Sequence, residues 1–224
     1  MNISVKEPNL EERDRLVLSK GHSSPALYAT LAERGFFEKE VLKTFRKIDS
    51  NLQGHPDMNK VPGVDMTSGS LGQGLSVANG MALAGKMDKK DYRVYCILGD
   101  GEIEEGQIWE ACMTSSHYKL DNLCLIVDNN NLQIDGTVKD VMNVYPLREK
   151  FESFGFEVFE VDGNNIEELI KVFERAKNIR QSPTAIIAKT TKGKGVSYME
   201  NNVKWHGKAP NEEEYEKAIT EILS

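Results

Sequence analysis

From Arg93 onward the sequence alternates short runs rich in Val, Ile, Leu or Phe with stretches of helical periodicity, and this alternation constrains the fold most. VYCIL (94–98), LCLIV (123–127), FEVFEV (156–161) and TAIIAK (184–189) are bounded by Gly, Asp, Asn or Pro and read as strands. Between them, EEGQIWEACMTSSHYK, PLREKFESFG and NIEELIKVFERAKNIR place apolar residues three or four apart, as with Ile166, Leu169, Ile170 and Phe173, and read as crossover helices. Strands joined through helices rejoin a sheet in parallel, because the crossover returns the chain to the edge from which it started. The expected class is therefore α/β, a mostly parallel sheet flanked by helices on both faces. At 224 residues the chain suits one domain, 1–224, with an N-terminal arm over about 1–15 and a C-terminal surface helix over about 211–224.

Upstream, Ser24-Pro25 followed by ALYATLAERG predicts a helix, with Ser24 as N-cap candidate, proline in the first turn and Gly35 at the end. EKEVLKTFRKI predicts another. Residues 48–68 contain Gly54, Pro56, Pro62 and Gly63 and few periodic apolar positions, which predicts a long irregular segment of the kind that often carries function. In TSGSLGQGLSVANGMALAGK the alternating small residues predict a helix packed very close to a neighbour and opened by Gly72 to Gly74. No strand precedes it and the G-x-G-x-x-G order is absent, so a nicotinamide dinucleotide site is disfavoured. TTKGKG (190–195) lacks the GK[ST] ending of a P-loop and reads as a basic connector.

A formal charge of -7 supplies no basic face for nucleic acid or anionic membrane, although small anions can still be held by local amides and a metal. The three cysteines, Cys96, Cys112 and Cys124, lie in apolar stretches without C-x-x-C spacing and read as reduced core thiols. No apolar run approaches the ~18 residues of a membrane span, and MNISVKEPNLEERDR has no apolar signal segment. A cytoplasmic location is the expectation.

The sharpest chemical feature is Gly99-Asp100-Gly101 directly after VYCIL, paired with Asp128-Asn129-Asn130-Asn131 after the next strand. In a parallel sheet both segments emerge at the carboxyl ends of strands, where ligands bind in such folds. Asp100 offers a carboxylate oxygen and Asn130 an amide oxygen, ligand types that Mg²⁺ accepts while sharing its octahedron with water and phosphate. Gly99 and Gly101 leave the backbone bare, so it can approach a diphosphate and donate N–H groups to it. A lone Asp-Gly is ordinarily a turn, as expected at Asp135-Gly136 and Asp162-Gly163. The pairing of two strand ends one βαβ step apart is what favours a site. Of four histidines, His22, His55 and His206 sit beside glycine, whereas His117 lies near a helix end and reads as structural.

GDGEIEEG followed by LCLIVDNNNLQIDG resembles the thiamine diphosphate (ThDP) segment of transketolases. LSKGHSSPALYA, QGHPD and KWHGKAP resemble the family's three histidine segments. The resemblance implies a metal, Mg²⁺ or Ca²⁺ or Mn²⁺ in its place, held by Asp100, Asn130 and the carbonyl of Leu132. It implies that His22 and His206 contact the diphosphate, that His55 faces substrate hydroxyls, and that Gly69, Leu71 and Ile134 lie against the cofactor. Glu105 matches an acid at the subunit interface, although a solvated helix start would also suit it. Because the match covers only the diphosphate-binding part of the family, it implies a split enzyme. A C-terminal, pyrimidine-binding subunit would complete an α2β2 heterotetramer acting on sugar phosphates. The family's Ser-Gly-His-Pro segment has no counterpart before Asp14. Other ThDP enzymes, resembling deoxyxylulose phosphate synthases or 2-oxo acid dehydrogenase subunits, share the Gly-Asp-Gly and Asn pair, and a non-catalytic ThDP-binding subunit is a further alternative. The histidine segments favour transketolase.

Overall fold

A computed structural model describes residues 1–224. Strand β1 (Arg15–Leu18) leads through helix α1 (Ser24–Glu33), a long irregular segment and helix α2 (Gly74–Met87) to β2 (Val94–Gly99). Helix α3 (Gly106–His117), β3 (Leu123–Asn129) and a small hairpin, β4 (Leu132–Gln133) with β5 (Gly136–Thr137), follow. Then come α4 (Val138–Val141), α5 (Leu147–Ser153), β6 (Glu157–Asp162), α6 (Ile166–Ala176), β7 (Thr184–Lys189) and α7 (Glu212–Leu223). The main sheet has the order β1-β2-β3-β7-β6 and every pairing in it is parallel. The four strands and the α/β class expected from the sequence are all present.

Alternation along β2 shows how both faces are covered. Val94, Cys96 and Leu98 enter one core with Leu75, Ala78 and Ala82 of α2, Ile108 and Cys112 of α3 and Phe151 of α5. Tyr95 points the other way, into a cluster with Cys124, Phe159, Ile186 and Val172 and Ala176 of α6. A third cluster joins Leu18 to Leu27, Tyr28 and Leu31 of α1 and to Leu52, Val61 and Val64 of the irregular segment. A period of two with apolar residues on both sides is what a doubly covered parallel sheet requires. From β6 to β7 the chain steps backward across the sheet, and a right-handed crossover then places α6 on the face opposite α3 and α5. All three cysteines are buried and unpaired, and burial drives the Cys112 and Cys124 thiols up to about 12, as core thiols require. No helix is long and apolar enough to cross a membrane.

Two local expectations change, and one strand is added. EKEVLKTFRKI forms only a 3-10 helix, Lys39–Thr44, because its packing is confined to the half-buried Leu42 and Phe45 beside the α1 cluster, too little to sustain a longer helix. Ser24 is the first residue of α1 and not its cap: the cap is Ser23, and the Ser24 hydroxyl donates instead to Gly54 O at 2.8 Å. Strand β1, unread in the sequence, is four residues long and lies at the sheet edge. The close packing expected of α2 is present, since a Cβ on Gly85 would lie 2.8 Å from the Tyr92 ring. Helix α7 opens on a capping box between Asn211 and Glu214 and buries only Ala218, as a surface helix should.

Candidate active site

Asp100 stands where β2 ends, and the register Gly99↔Asp128 sets that end beside the end of β3. The residue is 1% exposed. Its Oδ2 accepts from Asn129 Nδ2 at 2.9 Å and from the Asn131 backbone N–H, while its Oδ1 accepts only from Gly101 N, at 2.9 Å. A carboxylate oxygen offers about two lone-pair positions, so Oδ2 is filled and Oδ1 keeps one free. Burial raises the Asp100 pKa, against the pull of the Asn131, Asn129 and Gly101 donors. The Asn130 carboxamide oxygen accepts from Leu132 N at 3.0 Å, which folds the loop so that residues 129–132 wrap the acid. Leu132 opens the β4–β5 hairpin, whose turn presents Ile134, 69% exposed.

A second group of side chains borders the first. Lys20, just past β1, pairs with Asp128, which also accepts from the Thr190 hydroxyl. Burial pushes the Asp128 carboxyl up, but Lys20, Thr190 and Asn130 outweigh it and hold it below the usual carboxylate range. The His22 and His206 rings stack with centroids 5.2 Å apart. Burial, then His206, Lys20, Lys192 and His55, drives the His22 pKa down to about 4. His206 is lowered too, by burial and then by Lys192 and Lys20, and its Nδ1 is buried without a partner. Lys192 is half-buried, forms no salt bridge, and is itself lowered by burial and by Lys20, against the pull of Asp128 and Asp100.

The irregular segment completes the cleft. A Cβ on Gly21 would lie 2.6 Å from Ser68 Oγ and 2.9 Å from Gly69 N, so only glycine lets the His22 turn settle against Gly69. The site of a Cβ on Gly69 is 3.3 Å from the His55 ring, which places that exposed imidazole beside it. Leu71 is 37% exposed. Glu105 is exposed, caps α3 without a side-chain bond, and packs against Gly72, where a Cβ would lie 2.8 Å from its own.

The structure thus brings Gly99, Asp100, Gly101, Asn130 and Leu132 to one sheet edge, His22, His55 and His206 to its rim, and leaves Leu71, Ile134 and Glu105 open to solvent. Several residues were not singled out from the sequence. Lys20 lay within LSKGH but carried no signal of its own, and Lys192 lay in a stretch read only as a connector. Glu102 carried no signal of its own within GDGEIEEG, yet it is 3% exposed and joins three segments. Its Oε1 accepts from the Ser19 hydroxyl and from Gly72 N at 2.9 Å, and its Oε2 from Gly99 N at 3.0 Å.

Residues 1–222 match the family of the transketolase thiamine diphosphate-binding domain. The chain belongs to this family. Among relatives of this transketolase domain, an apulose-4-phosphate transketolase subunit of Phocaeicola vulgatus is 46% identical over 99% of the chain and 79% of its own length. The 6-deoxy-6-sulfo-D-fructose transketolase subunit SqwG of Clostridium sp. is 45% identical over 99% and 81%. Human transketolase is 48% identical over the whole chain but only 36% of its own length. The crystal structure of Campylobacter jejuni transketolase superposes with a TM-score of 0.94 at 38% identity, again covering the whole chain and 36% of that enzyme. The chain therefore spans about a third of the length of undivided transketolases and about four fifths of these two transketolase subunits.

The residues present suit the family's cofactor. Asp100 Oδ1 keeps a lone-pair position unused, and the rim beside it carries a lysine without a salt bridge and an imidazole nitrogen without a partner. A hard cation answers the first and a diphosphate the others.

Proposed function

We propose that this chain is the diphosphate- and metal-binding subunit of a cytoplasmic transketolase, which moves a two-carbon ketol unit from a ketose phosphate to an aldose phosphate. Asp100, Asn130 and the Leu132 carbonyl hold Mg²⁺, for which Ca²⁺ or Mn²⁺ can substitute, and Gly99 and Gly101 let the backbone reach the diphosphate. The observation carrying this reading is the basic rim beside the Asp100 loop: half-buried Lys192 forms no salt bridge, although Asp128 and Asp100 act on it, and His206 Nδ1 is buried without a hydrogen-bond partner. A buried cation or polar atom left alone is costly, and a multiply charged anion relieves both.

When bound, thiamine diphosphate supplies the acidic thiazolium carbon and the electron sink that ketol transfer needs. The remaining work belongs to side chains. His22, His206 and Lys192 donate to the diphosphate, and His55, exposed beside Gly69, meets sugar hydroxyls. Gly69 and Leu71 line the cofactor, and Ile134, largely exposed at its hairpin turn, covers the thiazolium ring. The names of two relatives as transketolase subunits support a partner chain of pyrimidine-binding type, with an α2β2 assembly and Glu105 at the junction.

Calorimetry with ThDP and Mg²⁺ tests the site in the chain mixed with such a partner. Asp100→Ala abolishes Mg²⁺-dependent binding and Asn130→Ala weakens it; an affinity unchanged by Asp100→Ala refutes the assignment. Ketol transfer requires both chains, and turnover by this chain alone, free of contaminants, would overturn the split arrangement.

A further inference from the structure

Tyr145 belongs to none of the site motifs and lies in the stretch between α4 and α5. Its hydroxyl accepts a hydrogen bond from Asn129 Nδ2 at 2.5 Å, and the same nitrogen donates to Asp100 Oδ2 at 2.9 Å. An amide nitrogen carries two hydrogens in the plane of its carbonyl, so these bonds use both and fix that plane. Tyr145 is itself anchored. Its backbone N–H donates to Asn143 Oδ1 at 2.9 Å, its ring packs against the main core, and the Lys139 ammonium lies 5.5 Å from the ring centroid.

We propose that Asn129 and Tyr145 are positioning residues for the metal-binding acid: Tyr145 holds the Asn129 amide, and that amide holds Asp100 so that Oδ1 turns toward the cation. With Asn131 N–H on the other lone pair of Oδ2, the carboxylate has no freedom to rotate and offer Oδ2 instead. Support of this kind orients a ligand before the metal arrives, and its loss weakens binding without removing any ligand. Asn129 is the residue at the end of β3, so the register that sets β3 beside β2 also aims this amide at the acid.

The inference rests on reading Asp100 as a metal ligand, and the test separates the two. Mn²⁺ is titrated by electron paramagnetic resonance into the complex of the full chain with its pyrimidine-domain partner, in saturating ThDP. Asn129→Ala, with Asn129→Leu as a volume-keeping alternative if the first fails to fold, weakens Mn²⁺ binding by about 10- to 100-fold. Tyr145→Phe, which keeps the ring, weakens it by about three- to tenfold, the worth of one neutral hydrogen bond. The double variant binds no more weakly than the Asn129 variant alone, since Tyr145 acts only through that amide. Losses that multiply, or single variants that bind like the wild type, overturn the positioning role. An Asp100→Ala variant measured alongside identifies which idea has failed: if it too binds Mn²⁺ normally, the metal site is misplaced and the inference falls with it. If Asp100→Ala alone loses the ion, the site stands and only the positioning role falls.

Discussion

His22 stacks on His206 with ring centroids 5.2 Å apart and planes inclined by 30°. One ring comes from the turn after β1 and the other from the segment after β7, and Lys20 and Lys192 act on both. Four basic groups share this rim because burial, and then mutual repulsion, keep the imidazoles neutral. Neutral rings still donate one N–H each, which is what an anion bound there requires.

The His22 titration follows from this. Its folded-state pKa is depressed from 6.5 to about 4, so in that window the unfolded chain takes up a proton that the folded chain refuses. The stability contributed by the neutral ring is complete above about 6.5 and is lost as the pH falls through about 4. An NMR titration of the ring protons should place the His22 midpoint near the lower value in the free chain and move it upward when diphosphate is added. A midpoint at the ordinary value, unmoved by diphosphate, would remove these histidines from the site.

Helix α2 contains an internal control on packing. A Cβ on Gly85 would lie 2.8 Å from the Tyr92 ring, whereas one on Gly80 meets nothing within 4 Å. Gly80→Ala should stabilise the isolated chain by about 0.5–1 kcal/mol through lower backbone entropy in the unfolded state. Gly85→Ala should destabilise it by about 1–3 kcal/mol, because a tightly packed contact must open. Urea denaturation of both variants measures this, and shifts of the same sign would contradict the close approach.

Glu102 ties the sheet to the start of α2. Replacing it with alanine leaves the Ser19 hydroxyl, Gly72 N–H and Gly99 N–H without their acceptor inside the fold. At about 1–3 kcal/mol for each buried donor, the expected loss is about 3 kcal/mol or more. Glu105→Ala, at an exposed position only three residues on, should change stability by no more than about 0.5 kcal/mol. Equal effects of the two variants in denaturant melts would deny Glu102 its linking role.

Much of this protein was legible in the sequence because the signals were local. Alternation of strand and helix periods fixes a parallel sheet, since both the apolar runs and their crossovers are contiguous in the chain. Gly99-Asp100-Gly101 and the asparagine run announced a site by their positions at consecutive strand ends, and family motifs named its cofactor. EKEVLKTFRKI misled for the opposite reason: its periodicity is helical, but only Leu42 and Phe45 pack against the fold and neither is fully buried.

Only the tertiary structure decided which groups work together. Nothing in the local sequence distinguishes Glu102 from Glu105, or a connector lysine such as Lys192 from one left in solvent. Nor does it link Tyr145 to Asp100 through the Asn129 amide. Burial and hydrogen-bond partnership depend on segments distant in the chain meeting at one edge of the sheet, so they exist only once strand order and register are set.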